Sequence, residues 1–176
     1  MSETRPAEEP SRKAQAYGEG DATFLACGGE EGIRRLVESF YRVMDTAPEA
    51  ERIRRMHPSD LRLSIDKLVT FLCGWTNGPK RYAERYGPIR IPQAHRHLDI
   101  AEDERDAWLV CMERALEEQS YPEELKHYLR KELFVPAERI RQTVAARKEE
   151  SGAALRVTKP DSRTADAGKK DAEREG

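Results

Sequence analysis

Two histidines stand one residue apart, His95 and His97, in the run IRIPQAHRHLDIAEDERDAW at residues 89–108. Imidazole titrates near neutral pH and, when neutral, is the commonest metal ligand, so the pair raises the question of a metal site. A structural zinc ion asks for four nitrogen or sulfur ligands. The other histidines, His57 and His127, are far away in sequence, and Cys27, Cys73 and Cys111 are widely separated and never in C-x-x-C spacing. That pattern argues against a zinc knuckle and against a disulfide framework. Nucleophilic catalysis has no better support: there is no nucleophile elbow, and Cys73 and Cys111 fall on apolar helical stripes, where a cysteine behaves as a small hydrophobe. Neither a P-loop nor a dinucleotide fingerprint occurs.

Haem is the cofactor that needs a single protein ligand and a large apolar pocket, because the porphyrin supplies four of the iron's ligands. One histidine on an otherwise apolar helical chain suits it. The ordinary alternative is a surface histidine satisfied by a hydrogen bond, beside aromatic and aliphatic stripes that are plain core. Residue type alone leaves both open.

The elements that must position these side chains are helical. Ile33, Leu36, Val37, Phe40 and Met44 recur at helical spacing after the Gly28-Gly29 turn, with Pro48 as the stop. A second helix is expected from Ser59 or Asp60, carrying Leu61, Ile65, Leu68, Phe71, Leu72 and Trp75, and halted by Asn77-Gly78-Pro79. A short helix from Pro79 to about Tyr86 ends at Gly87. Prolines 88 and 92 keep a regular helix from running through PIRIPQAHRHL, which reads as an ordered connector. Asp99 followed by Glu102 resembles a capping box for a helix bearing Trp108, Cys111, Met112, Ala115 and Leu116. Pro122 opens another helix with Leu125, Tyr128, Leu129 and Leu133, and Pro136 restarts the pattern toward Val144. No stretch alternates with period two, so the fold class is all-α, with about six helices.

Composition narrows the rest. The 176 residues include 36% charged side chains at a formal net charge of -2, so no global field gathers nucleic acid or an anionic membrane. No apolar run reaches the roughly 18 residues of a membrane span, and MSETRPAEEPSRK has no apolar core like that of a signal peptide. Unpaired cysteines suit a reducing cytoplasm. Residues 1–20 and 148–176 are rich in charge and poor in large apolar groups, and are expected to be disordered tails around one domain at 21–147.

Three stretches carry a resemblance: GGEEGIRRLVESFYRVMD, then HPSDL with DKLVTFLCGW, then YGPIRIPQAHRHLDIAEDERDAWLVCM. In this order they are similar to the group II truncated haemoglobins, over about residues 21–145, with the tryptophan helix as the most specific piece. The resemblance implies a two-over-two helical sandwich enclosing haem b (iron protoporphyrin IX). It places the proximal iron ligand on His95, thirteen residues before Trp108, and leaves His97 as a bystander at the haem edge or surface. On the distal side it places Tyr41 and Trp108 as hydrogen-bond donors, with Ser64 and Leu68 at the two ligand-facing positions of the second long helix. His57 takes a position where members often have Tyr or Phe, a departure that adds a third polar group. The second Gly-Gly pair of the family is here Asn77-Gly78, a mild departure because Asn also tolerates positive φ. Phe40, Phe71, Ile91 and Leu98 are candidate porphyrin contacts, and Arg85 and Arg90 are candidates for the anionic propionates.

The function so implied is reversible binding of oxygen, and of NO and CO, at the iron. A bound diatomic ligand acquires partial negative charge, which O–H and N–H donors in a dry pocket stabilise. An enzyme reading uses the same iron, as an NO dioxygenase served by a reductase or as a peroxidase-like catalyst. A third, from another class, is a cofactor-free helical interaction module whose charged tails recruit partners.

Overall fold

In the computed structural model, which describes residues 15–157, the chain is helical. Its elements are α1 (Ala22–Ala26), α2 (Gly29–Thr46), a 3-10 turn (Pro48–Ala50), α3 (Glu51–Arg55), α4 (Arg62–Trp75), α5 (Tyr82–Tyr86), α6 (Ile91–Ala94), α7 (Glu102–Glu117) and α8 (Glu123–Val157). α2 packs on α4 and α7, and α7 packs on α8, giving the two helix pairs of a two-over-two sandwich.

Local chemistry explains the boundaries. α2 is entered through Gly28 and Gly29, both in the left-handed region at φ of +80° and +66°, where a side chain is costly. One turn later, a Cβ on Gly32 would sit 1.7 Å from the Cys27 carbonyl oxygen. The expected stripe is then buried throughout: Ile33, Leu36, Val37, Phe40 and Met44 are each at most 2% exposed. α4 begins two residues after Asp60, whose Oδ1 accepts the Arg62 amide at 3.0 Å. It closes through Asn77, at φ of +63°, and through the Gly78 amide, which donates to the Cys73 carbonyl at 2.8 Å. The positive φ anticipated for Asn at this point is present.

Several boundaries differ from expectation. Among the described residues there are eight α-helices rather than about six, because α1, α3 and α6 are one-turn pieces too short for periodicity to reveal. The segment 79–86 is helical only from Tyr82. The Asp99–Glu102 capping box does not form. α7 starts from Ala101, which has no side-chain oxygen, so only the reciprocal half exists: Glu104 Oε2 accepts the Ala101 amide at 2.8 Å. Asp99 instead pairs with Arg52 and Lys148.

Pro136 does not restart the pattern but lies inside one continuous helix. A helix-interior proline removes one backbone bond and costs about 3 kcal/mol. Leu133 and Ala137, both buried, hold the helix to its surroundings on either side of it. The helix also runs ten residues past the expected limit at 147. At the other end, Tyr17 stacks near Tyr128 with ring centroids 5.6 Å apart, and the Gly18 amide donates to Thr23 Oγ1 at 2.9 Å. Residues 15–20 are therefore packed on the helices rather than tail. The remainder of both expected tails, 1–14 and 158–176, lies outside the described residues. No helix among the described residues is long and apolar enough to cross a membrane.

Candidate functional site

α2 brings Phe40 and Tyr41 to the interface with α4 and α7. Phe40 is wholly buried. Its ring lies 5.0 Å from that of Tyr41 in an edge-on arrangement and 5.2 Å from that of Trp108 on α7. One side chain thus sets the spacing between the two expected donors. Tyr41 also meets His57, edge-on at 5.6 Å. Burial pushes the Tyr41 hydroxyl up to about 12, offset in part by the neighbouring Ser64 hydroxyl and the Arg54 charge. Tyr41 therefore keeps its proton at neutral pH and can act as a donor.

His57 follows α3. Its Nδ1 is hydrogen-bonded to the Ile53 carbonyl, four residues back, at 2.8 Å. A carbonyl can only accept, so Nδ1 carries the proton and Nε2 is left as the unprotonated nitrogen. Burial lowers the His57 pKa, with Arg54 adding to the effect and the Ile53 bond opposing it.

His95 repeats this geometry. It caps α6, a single turn with Pro92 in its first positions, where a missing amide hydrogen costs nothing. His95 Nδ1 donates to the Ile91 carbonyl at 2.6 Å, again four residues back. The imidazole is thereby fixed in one tautomer, with Nε2 unprotonated and available as a ligand. Burial is the largest cause of its lowered pKa, and the charges of His57 and His97 push the same way.

Around them, Ser64, Leu68, Phe71, Ile91, Leu98 and Trp108 are half-buried rather than sealed. Leu68, Phe71 and Trp108 pack by one side on the core cluster. His97 is exposed. Arg85 is drawn to Asp66, 3.4 Å away. Arg90 is exposed at the start of α6, its carbonyl accepting the Ala94 amide at 2.9 Å. A cleft of about 380 Å³ lies elsewhere, between α7 and α8 beside Leu109, Val110, Leu133 and Phe134.

Sequence reasoning missed the carbonyls of Ile53 and Ile91 as the groups that orient the two histidines. The available signal was the i–4 spacing of an apolar residue before each histidine. The three cysteines are buried away from this chemistry. Desolvation raises Cys27 to about 12 and Cys73 and Cys111 to about 11, which makes them poor nucleophiles.

Helices packed two over two, with the Tyr41–Phe40–Trp108 cluster between α2 and α7 and an imidazole fixed in one tautomer at the end of α6, define a globin-type protein. Comparison with known proteins makes the class specific. The family profile of bacterial-like globins matches residues 22–143. The chain is 31% identical over 101 residues to the group 2 truncated hemoglobin YjbI of Bacillus subtilis, covering 57% of this chain and 74% of that one. Among solved structures it resembles the group II 2-on-2 hemoglobin of Agrobacterium tumefaciens, with a TM-score of 0.64 and 35% identity over 67% of this chain and 92% of that one. It also resembles the cold-adapted truncated hemoglobin of Pseudoalteromonas haloplanktis TAC125, with a TM-score of 0.64 and 27% identity over 67% and 95%. The chain belongs to the bacterial-like globin family, in its group II truncated haemoglobin branch.

Proposed function

We propose that the chain holds haem b through Nε2 of His95 and reversibly binds oxygen, NO and CO at its iron. The observation that carries this reading is the 2.6 Å bond from His95 Nδ1 to the Ile91 carbonyl, which leaves Nε2 unprotonated and aimed by the turn that bears it. The donor set fits the group. Among the described residues no three His, Cys, Asp or Glu side chains come together as a metal site, whereas haem asks the protein for one imidazole and apolar walls.

When bound, the haem iron supplies the open coordination position at which a diatomic gas is taken up. The remaining roles belong to the chain. Leu68, Phe71, Ile91 and Leu98, half-buried apolar side chains, would line the porphyrin and keep water from it. Tyr41 keeps its proton because burial disfavours its phenolate, and its O–H, with the Trp108 indole N–H, donates to a ligand that has gained negative charge. Ser64 and His57 complete this polar side, and Phe40 keeps the two principal donors apart. Arg90 stands nearer in sequence to His95 than Arg85, which Asp66 already engages, and is the better partner for a propionate.

The test is the visible spectrum of the protein purified with haem supplied. The expected result is a Soret band that shifts on reduction and on addition of CO and is lost in His95→Ala. A band unchanged in His95→Ala would overturn the ligand assignment. His97→Ala is expected to leave it intact.

A further inference from the structure

α8 spans 35 residues and continues to Val157, whereas the family match ends at 143. The additional turns are engaged with the rest of the molecule. α6 packs against α8, and Val144 on α8 is completely buried. Arg147 and Lys148 follow it by three and four residues, on the same helical face. Arg147 Nη1 donates to the Arg96 carbonyl at 2.6 Å. Lys148 pairs with the Asp99 carboxylate. Glu150 Oε2 stands 3.6 Å from Arg96 Nη2. From the opposite side, Arg52 on α3 reaches the same Asp99 at 2.6 Å and Glu104 on α7 at 3.0 Å. The segment from Arg96 to Asp99, immediately after His95, is thus held between α3 and the end of α8.

This segment needs external support. α6 has four residues, far below the roughly 12 that make an isolated helix even marginal in water. Its continuation is held by single turn bonds, from the His95 amide to Pro92 at 3.2 Å and from the Leu98 amide to His95 at 3.0 Å. Exposed ion pairs add little to global stability. Here several of them converge on one short stretch, so opening that stretch requires breaking them together.

We propose that the end of α8 is a clamp on the histidine-bearing loop, in which Arg147 and Lys148 are positioning residues that hold His95 in register through Arg96 and Asp99. The proposal rests on the assignment of His95 as the iron ligand. It extends that assignment to residues beyond the part of the chain matched by the family.

The experiment compares the full chain, purified with haem, with Arg147→Ala/Lys148→Ala, with Arg147→Lys, and with a chain ending at residue 145. Three quantities are read: hydrogen exchange of the amides from 95 to 99, the rate of haem transfer to an excess of haem-free acceptor globin, and the ferrous iron–imidazole stretching band in resonance Raman spectra. The double variant and the shortened chain are expected to exchange about tenfold faster at these amides and at few others, because a charge-assisted bond across the opening is lost. Haem transfer quickens severalfold and the stretching band shifts or broadens, while the thermal midpoint barely moves. Arg147→Lys restores part of the protection, since lysine can also donate to the Arg96 carbonyl. Raising salt to about 1 M reproduces the effect in the unaltered chain and adds little to the double variant.

Exchange and haem transfer equal to those of the unaltered chain in both the double variant and the shortened chain would overturn the clamp, as would faster exchange spread evenly over the helices. A chain that takes up no haem yet loses protection only at 95–99 in the double variant removes the haem assignment and leaves the clamp standing.

Discussion

The two walls of the proposed haem site are built by different physics. Tyr41 and Trp108 sit on helices of 18 and 16 residues whose buried faces meet around Phe40, so core packing sets their positions. His95 sits on the end of one helical turn, half-buried, oriented by a backbone carbonyl and supported by ion pairs at the surface. The donor wall can shift only if the core repacks, which is costly because interiors are close-packed. The ligand wall can shift by a local opening that leaves the core intact. Damage to the first should therefore appear as lost stability or altered ligand release, and damage to the second as lost or misaligned cofactor.

The sharpest break in this contrast is His95→Ala, which is expected to abolish the Soret band while the far-ultraviolet helical spectrum persists. Phe40→Ala is the counterpart on the other wall. Removing a fully buried phenylalanine typically costs about 3–5 kcal/mol, so its urea midpoint should fall steeply. A midpoint close to that of the unaltered chain would show that the donor wall does not depend on core packing. A smaller effect separates position from chemistry: Tyr41→Phe and Trp108→Phe each remove one hydrogen bond of about 1 kcal/mol and should speed oxygen dissociation by about three- to tenfold. Unaltered off-rates in both would take them out of the donor role.

Asp66→Asn probes the surface that supports α5. Asp66 accepts from Arg34 and Tyr86 and pairs with Arg85, but the site is part-exposed, so the loss should stay below about 1 kcal/mol by urea titration. The smallest effect concerns pH. Burial holds the His57 pKa below its ordinary value, so the unfolded chain takes up a proton that the folded chain resists. The stability contributed by neutral His57 is present above about pH 6.5 and declines as pH falls through the lowered folded value. His57→Gln should flatten that part of the pH–stability curve, and an unchanged slope would contradict the assignment.

The four long helices, α2, α4, α7 and α8, were readable because their apolar stripes repeat within a few residues, as Ile33, Leu36, Val37 and Phe40 do. Short elements were not: α6 offers four residues to a pattern that needs about eleven. The Asp99–Glu102 spacing suggested a cap, but ion pairing with Arg52 and Lys148 takes Asp99 away, and neither partner lies within its local window. Continuity through Pro136 was hidden for a similar reason, since buried neighbours on both sides offset a local preference to break.

From the sequence alone came the all-α class, the candidate ligand His95, the adjacent pair Phe40 and Tyr41, and the family resemblance that links them to Trp108. These rest on residue type and on spacing along the chain, which are local properties. Tertiary structure decided which imidazole nitrogen is free, that Phe40 packs between Tyr41 and Trp108, that Asp66 engages Arg85, and that α8 returns to the loop after His95. Each depends on groups that only folding brings within hydrogen-bond or van der Waals reach. Those forces act over a few ångströms of space, whatever the distance along the chain.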